Sequence, residues 1–346
     1  MYEKLKQEKE LWNLFTKAEE YNFFTSDKHD RFRYYLSQHR NIFEPQVSKF
    51  LIENGYKVSY PENKKFAVCL THDVDVVYLP KLPTLFDSYK ALFKGQIKSS
   101  NILFRSLINK KYNPWWNIKE IIQLEKKYNA KSSFFFLTSN KNEIDFNFNI
   151  EDLEPELKYI IDNGCEVGLH GGIGEYNNLE KIKEKKMRLE KILDKKVVGY
   201  RNHYLKFRTP DTWEVLHKAG FTYDTTFGYA DCAGFRNGMC HPFKPFNLKT
   251  EREIDILEIP LIIMDCTLFD YMDLEINEAW KIIKLLTDTV EQYNGVITIL
   301  WHNTYMVGEN YRLYEKILSY CAKRNAWCTT CNSIADWWQQ QPNYLS

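Results

Sequence analysis

From residue 66 onward the chain repeats one pattern: a short apolar run followed by a stretch with helical spacing. The runs fall at 66–71, 132–137, 166–169, 197–200, 223–227, 257–263 and 296–301. Helical spacing fills the intervals near 117–128, 152–163, 179–194, 211–219, 276–292 and 310–324. A strand that is apolar throughout must be covered on both faces, which points to a parallel sheet whose crossovers are helices. Seven such units exceed what an open sheet usually needs and approach a barrel count. The segment 80–113 interrupts the alternation and reads as an insertion after the first strand, over the barrel mouth. Before residue 60, Leu11, Leu14, Phe15 and Ala18, and then Val47, Phe50 and Leu51, keep helix-face spacing. The expected division is a helical N-terminal extension over 1–60 and a barrel over 61–346.

Charge and composition exclude several classes. Lys and Arg number 47 against 46 Asp and Glu, so at +1 no global field draws the chain to nucleic acid or anionic lipid. The opening MYEKLKQEKELWNLF has no apolar core of a secretory leader, and the apolar runs are too short to span a bilayer. Eight scattered Cys suit a reducing compartment, and Cys328-x-x-Cys331 lacks the second pair of a zinc knuckle. The expectation is a cytoplasmic protein with no membrane insertion. Aromatic residues reach 16%, and the doublets Trp115-Trp116 and Trp337-Trp338 read as packing before sugar stacking.

All strands of a parallel barrel end on one face, where the chemistry gathers. Here the first run ends in His72-Asp73-Val74-Asp75, the third in His170-Gly171-Gly172, and the last in His302-Asn303. The fourth runs into Arg201-Asn202-His203-Tyr204, and the fifth holds Asp224. A single His beside an apolar run is usually structural. Four of the eight His at corresponding positions, with an Asp-x-Asp pair, mark an active site. His and carboxylate together suit a divalent ion that keeps a position open for water. Asp73 and Asp75 project to the same side if the strand continues, so one can ligate while the other holds a proton of the water. Such an ion brings the pKa of its water to about 7. A His on the opposite wall, such as His302, would then protonate the leaving amine or alkoxide. The reading is metal-assisted hydrolysis of an amide or ester. The G-x-S-x-G, P-loop, H-E-x-x-H and strand-led G-x-G-x-x-G templates are missing. Gly171-Gly172-Ile173-Gly174 lacks a P-loop Lys and reads as a loop whose backbone passes close to the site.

At these residues the chain resembles the polysaccharide deacetylase superfamily, the NodB-homology or carbohydrate esterase family 4 proteins. Thr71-His72-Asp73-Val74-Asp75 is similar to the motif T-F-D-D-G in a D-x-D form. Residues 166–170 resemble the strand leading into H-[ST]-x-x-H, 200–204 the R-x-P-Y element, and 300–303 the closing motif with its Leu-x-His. The resemblance spans residues 64–338, and 220–246 resembles an intracellular-type branch found among surface-polysaccharide genes. It implies a distorted (β/α)7 barrel that removes an acetyl group from an N- or O-acetylated sugar of a cell-surface glycan or its precursor. A divalent metal is implied, zinc foremost, with nickel, cobalt and iron compatible. Position by position, Asp73 resembles the catalytic base, Arg201 the residue orienting it, and His302 the general acid. Asp75 and His170 resemble metal ligands, and the oxyanion would lean on the metal and the backbone N–H near Tyr204. Tyr204, Arg236 and Tyr229 are expected to contact the substrate, an acetamido sugar carried on a nucleotide or lipid.

One departure matters. The second His of H-x-x-x-H falls at Gly174, which cannot ligate. His203, standing where R-x-P-Y has Pro, is the expected third ligand, with Glu175 as the alternative. His72 is a poorer choice because adjacent strand residues point oppositely. Gly174 also motivates a second reading, a catalytically silent carbohydrate-binding barrel, and a third keeps the chemistry but acts on a non-sugar amide. Asp224 is expected to anchor His302 or Arg201 or to cap its strand. Asp265 and Asp270 are expected to bind a sugar hydroxyl or cap a turn, and His39 and His217 to be inert.

Overall fold

The barrel is built on β1 (Ala67–Val74), whose eight residues are buried from end to end. A computed structural model describes residues 2–22, 27–79, 81–93, 97–107, 112–138 and 148–341. Parallel to β1 follow β2 (Ser133–Leu137), β3 (Glu166–Gly171), β4 (Gly199–Asn202) and β5 (Tyr223–Asp224). A small antiparallel ribbon, β6 (Phe246–Asn247) and β7 (Arg252–Glu253), stands outside the sheet. The sheet resumes with β8 (Leu257–Glu258), β9 (Leu261–Met264), β10 (Val296–Leu300) and β11 (Trp327–Thr329). Its order is β8-β5-β4-β3-β2-β1-β10-β9. Because β8 and β9 are consecutive pieces of one run interrupted at Ile259-Pro260, the two ends of the sheet belong to the same stretch of chain. The sheet therefore curls into a distorted (β/α)7 barrel, as the alternation predicts.

Sequence reading does not anticipate β11. Its three residues pair with the lower half of β1, Ala67 to Trp327 and Cys69 to Thr329, while the upper half pairs with β2 from Thr71 and Ser133 onward. The strand is a wedge between β1 and β2, too short to show a period.

The helices are α1 (Tyr2–Gln7), α2 (Lys9–Thr16), α3 (Gln46–Glu53), α4 (Lys81–Phe93), α5 (Ile97–Ser106), α6 (Ile118–Lys126), α7 (Glu154–Asp162), α8 (Leu179–Leu193), α9 (Asp211–Lys218), α10 (Ile276–Gln292), α11 (Gly308–Lys323) and α12 (Cys331–Gln339). Those between strands occupy the windows read from spacing. The insertion after β1 holds the α4–α5 pair; Pro80, 94–96 and 108–111 lie outside the described residues.

Alternation along the strands separates two cores. Val68, Leu70 and Val74 face the helix layer with Ile121, Leu157 and Ile283. Ala67 and Cys69 face the barrel interior with Phe135, Tyr223, Leu257, Ile259 and Val296. Space for two of these rings comes from glycines: a Cβ on Gly168 would lie 2.5 Å from the Phe135 ring, and one on Gly199 would lie 2.0 Å from the Tyr223 hydroxyl. The base is closed by Ile334, Ala335 and Trp338 of α12. Just above it the inward carboxylate of Glu166 accepts from Ser133 Oγ, Tyr223 Oη and the Asn332 N–H.

Residues before 60 share the outer core, where Leu14, Phe15, Val47 and Leu51 join Met239 and Phe243. A buried ion pair fastens this segment: Glu20 accepts from Arg236 Nε at 3.0 Å and Nη2 at 2.7 Å, and from Thr209 Oγ1 at 2.7 Å. Removing one partner of such a pair leaves a buried charge uncompensated, at a cost of about 3–5 kcal/mol. Glu20→Ala is therefore expected to lower unfolding stability by about that amount in urea titration, with the slope unchanged. A loss under about 1 kcal/mol would show that water replaces the carboxylate.

Candidate functional site

The inward face that holds Ala67 and Cys69 continues upward through Thr71 and Asp73 to Asp75, because β1 extends past the apolar run to Val74. His170 follows Glu166 and Gly168 on the inward face of β3, and Arg201 follows Gly199 on β4. These parities bring the polar residues to one mouth.

Three of them form a tight cluster. Asp75 Oδ1 lies 3.1 Å from His170 Nε2 and 3.4 Å from His203 Nδ1, and the two nitrogens are 3.1 Å apart. His170 Nδ1 sits 3.0 Å from the Arg201 carbonyl oxygen. A carbonyl can only accept, so that nitrogen holds a ring proton and Nε2 faces the cluster, where its lone pair is the one available to a cation. A tetrahedral ion bound at about 2.0–2.1 Å needs donors about 3.3 Å apart, which this triangle matches. Asp75, His170 and His203 thus have the spacing and chemistry to hold a divalent cation. Burial opposes charge on Asp75, but His203, His170 and His302 hold its carboxyl well below the usual carboxylate range. Burial likewise opposes charge on His170, and Asp73 and Asp75 outweigh it, raising its pKa.

Two further groups flank the triangle. Asp73 Oδ2 lies 3.7 Å from His170 Nε2, and Asp73 Oδ1 lies 3.8 Å from Arg201 Nη1. Arg201 is held inside the barrel by Thr71 Oγ1 at 3.1 Å and Thr225 Oγ1 at 3.2 Å, over the Phe135 ring. Its Nη1 and Nε, and Asp73 Oδ1, have no hydrogen-bond partner among the described residues. On the other side His302 Nε2 lies 3.7 Å from Asp75 Oδ2, while its Nδ1 lies 2.6 Å from Asp265 Oδ1. The second oxygen of Asp265 accepts the His302 backbone N–H, which fixes ring and chain together. Burial alone would lower the pKa of His302; Asp265 outweighs it and holds the imidazole well above its ordinary value.

Other expected residues are placed differently. His72 points away from the mouth, as alternation requires, with Nδ1 on the Trp301 carbonyl and Nε2 on Glu125. Glu175 is buried beside Lys185 at 3.7 Å and is outside the triangle. Nothing lies within 4 Å of a Cβ built on Gly174. Arg236 and Tyr229, expected to touch substrate, are not at the mouth: both are buried, Arg236 on Glu20 and Tyr229 on Lys17 Nζ at 3.0 Å. The N-terminal segment brings those charges onto them. Asp224 anchors neither His302 nor Arg201 by hydrogen bond; Thr226 Oγ1 donates to it, burial raises its carboxyl pKa, and burial together with Asp224 pushes the neighbouring Glu258 well above the usual carboxylate range. Asp265 takes the anchoring role, and Asp270 accepts from Tyr305 Oη at 2.5 Å. Tyr204 is half-buried with φ of +59°, its ring 4.1 Å from that of His203 and 4.2 Å from that of His29, on which it stacks. The Tyr204 carbonyl accepts from Arg31 Nη1 at 3.1 Å, so the N-terminal segment forms one wall of the site.

An open groove of about 760 Å³ lined by Phe269, Asp270 and Tyr305 adjoins His302. A cavity of about 450 Å³ lined by Glu166, Lys196 and Asn332 lies at the opposite end of the strands, remote from this chemistry.

No protein-family model matches the sequence, and no curated protein does. Solved structures do match. A protein from Mycobacterium smegmatis assigned as a polysaccharide deacetylase is 16% identical, with 81% of this chain and 92% of that one covered and a TM-score of 0.56. A carbohydrate esterase family 4 pseudoenzyme from Bacillus anthracis is 13% identical over 79% of this chain and 66% of its own, with a TM-score of 0.42. A polysaccharide deacetylase from Bacillus cereus is 14% identical over 77% and 91%, with a TM-score of 0.39. The first of these shows that the chain has the fold of the NodB-like polysaccharide deacetylases.

A folded-state His pKa above the unfolded value adds stability that is present below the unfolded value and lost as pH rises through the folded one. In an NMR titration the His302 ring is therefore expected to stay protonated above the usual range near 6.5, and Asp265→Asn to bring its midpoint down by at least about one unit. An unchanged midpoint in Asp265→Asn would show that Asp265 does not control the ring.

Proposed function

We propose that this chain is a metal-dependent deacetylase of an N-acetylated sugar belonging to a cell-surface glycan or its precursor. The observation that carries it is the triangle of Asp75, His170 and His203, with Asp73 and Arg201 on one side and Asp265 and His302 on the other. The barrel fold shared with a protein assigned as a polysaccharide deacetylase supports the same class.

A divalent cation held by Asp75, His170 and His203, with zinc the first choice, would lower the pKa of water and draw charge from the acetyl carbonyl. Asp73 takes the proton of the attacking water, and Arg201 holds that carboxylate in its orientation. His302, kept cationic by Asp265, gives its proton to the departing sugar nitrogen as the C–N bond breaks, leaving acetate and the free amine. The turn at Tyr204 would offer a backbone N–H to the developing oxyanion, and the Tyr204 ring is the candidate contact for an acetamido sugar. The groove beside Tyr305 suits the rest of the glycan. We infer a reducing compartment, which the eight free thiols support.

Purified protein is expected to hold about one equivalent of zinc or a similar ion, and His170→Ala and His203→Ala each to lose affinity beyond the about 10–100-fold typical of outer partners. On a panel of acetamido sugars, Asp73→Asn is expected to cut acetate release about a hundredfold to ten-thousandfold with metal retained. Metal loss in His170→Ala alone would remove His203 from the ligand set. Glycan binding that persists undiminished in metal-stripped Asp73→Asn, without acetate release by wild type, would make the barrel a binding module. Hydrolysis of small N-acyl amines in preference to the sugars would change the substrate class.

A further inference from the structure

Helix α4 is turned inside out. Among the described residues its buried side chains are small, Thr84, Ser88 and Ala91, at the i, i+4, i+7 spacing of one helix face. Its large apolar side chains point to solvent: Leu82 is 80% exposed, Phe86 61%, Tyr89 60% and Phe93 85%. Steps of four, three and four residues align these as one stripe. The following helix α5 adds exposed Ile97 and Phe104. Single exposed apolar residues need no explanation, but a continuous aliphatic and aromatic stripe marks a surface that meets something.

Charge identifies what. Residues 81–112 carry seven Lys and Arg and one acid, Asp87, whereas the whole chain carries only +1. The basic excess is thus confined to this hairpin, and the remainder of the chain is net acidic. Lys90 Nζ lies 4.5 Å from the Phe86 ring, and the Arg105 guanidinium lies 5.3 Å from the Tyr112 ring. Apolar and aromatic bodies flanked by cationic heads of one sign fit a lipid headgroup boundary, the former entering the acyl edge and the latter meeting anionic phosphates. A second copy of this chain docking through its own hairpin would set like charge against like. No described helix is long and apolar enough to cross a membrane, so the contact is with the interface.

The hairpin leaves the barrel at the end where Asp73 and Asp75 stand. Its foot is fastened there: Asn113 Nδ2 donates to the Val77 carbonyl at 2.6 Å, and Asn303 Nδ2 donates to those of Val76 and Trp115, both at 2.8 Å. We propose that the α4–α5 hairpin docks this protein reversibly on an anionic lipid surface, with the barrel mouth on the lipid-proximal side. The docking rests on this surface alone and stands apart from the deacetylase reading.

Co-sedimentation with phosphatidylcholine vesicles, with and without about one-third phosphatidylglycerol, tests it. The full chain is expected to partition onto the anionic vesicles and to leave them as salt rises. Phe86→Ser/Phe93→Ser and Lys90→Glu are each expected to weaken partition at least about tenfold, with Tm unchanged because these side chains face solvent. Three results would overturn the proposal: wild type remaining in the supernatant with anionic vesicles, equal partition of Phe86→Ser/Phe93→Ser, or a dimer in light scattering that this variant makes monomeric with no lipid binding in either form.

Discussion

Side chains on a β-strand alternate between faces, and in this barrel that alternation decides which residues meet at the mouth. Asp73 and Asp75 stand above Ala67, Cys69 and Thr71 on the inner face of β1. His170 stands above Glu166 and Gly168, Arg201 and His203 above Gly199, and His302 above Val296, Thr298 and Leu300. Six site residues are thus extensions of four strand registers. Those registers are locked to one another by pairs such as Thr71 with Leu300, Thr71 with Ser133, and His170 with Arg201. A slip of one residue in β1 would turn His72 to the mouth and bury both aspartates in the helix layer. The apolar residues below the mouth are what forbid the slip, since Val68 and Leu70 would then enter an interior already filled by Phe135 and Tyr223.

Within that frame the charges alternate in a row. Arg201 faces Asp73 at 3.8 Å, Asp73 faces His170 at 3.7 Å, and His170 faces Asp75 at 3.1 Å. Asp75 then faces His302 at 3.7 Å, and His302 faces Asp265 at 2.6 Å. A buried charge is tolerated only when its neighbours are of opposite sign and its hydrogen bonds are largely met. Each member meets the first of these conditions through the next, which ties the base side to the acid side through Asp75. It also explains why a guanidinium can sit inside a barrel among Phe135, Thr71 and Thr225.

Much of this was legible in the residues because barrel strands are apolar by necessity and end where polarity begins. His72-Asp73-Val74-Asp75, His170, Arg201 and His302 each interrupt an apolar run, so position and chemistry coincide. Asp265 does the same at the end of 257–264, yet sequence alone does not decide between sugar binding, turn capping and anchoring a histidine. Its role depends on which strand neighbours β9, and that is set by Thr298 and Leu300 pairing with Leu261 and Met264, a long-range fact. The strand β11 was hidden for a related reason: three residues wedged beside β1 need no periodicity of their own. Arg236 and Tyr229 misled because a loop cation and a phenol look the same whether a substrate or Glu20 and Lys17 awaits them. Nothing local in 17–20 announces that these residues will fold back over the barrel.

The two parts outside the barrel act on the mouth in opposite ways. The N-terminal segment has its charges paired inward, Glu20 with Arg236 and Arg31 with Asp27, and Arg31 also reaches the Tyr204 carbonyl. A non-glycine residue at φ of +59° costs about 1–2 kcal/mol unless its surroundings impose it. The Arg31 bond and the His29 stack impose it here, so that segment fixes the turn from which His203 projects. The hairpin after β1 is fastened at its foot and turns Lys81, Lys90 and Arg105 outward together with its exposed rings. One part therefore sets the shape of the site, and the other sets what the site faces. Both roles require the same thing of the barrel, an inner register fixed firmly enough that neither attachment can shift it.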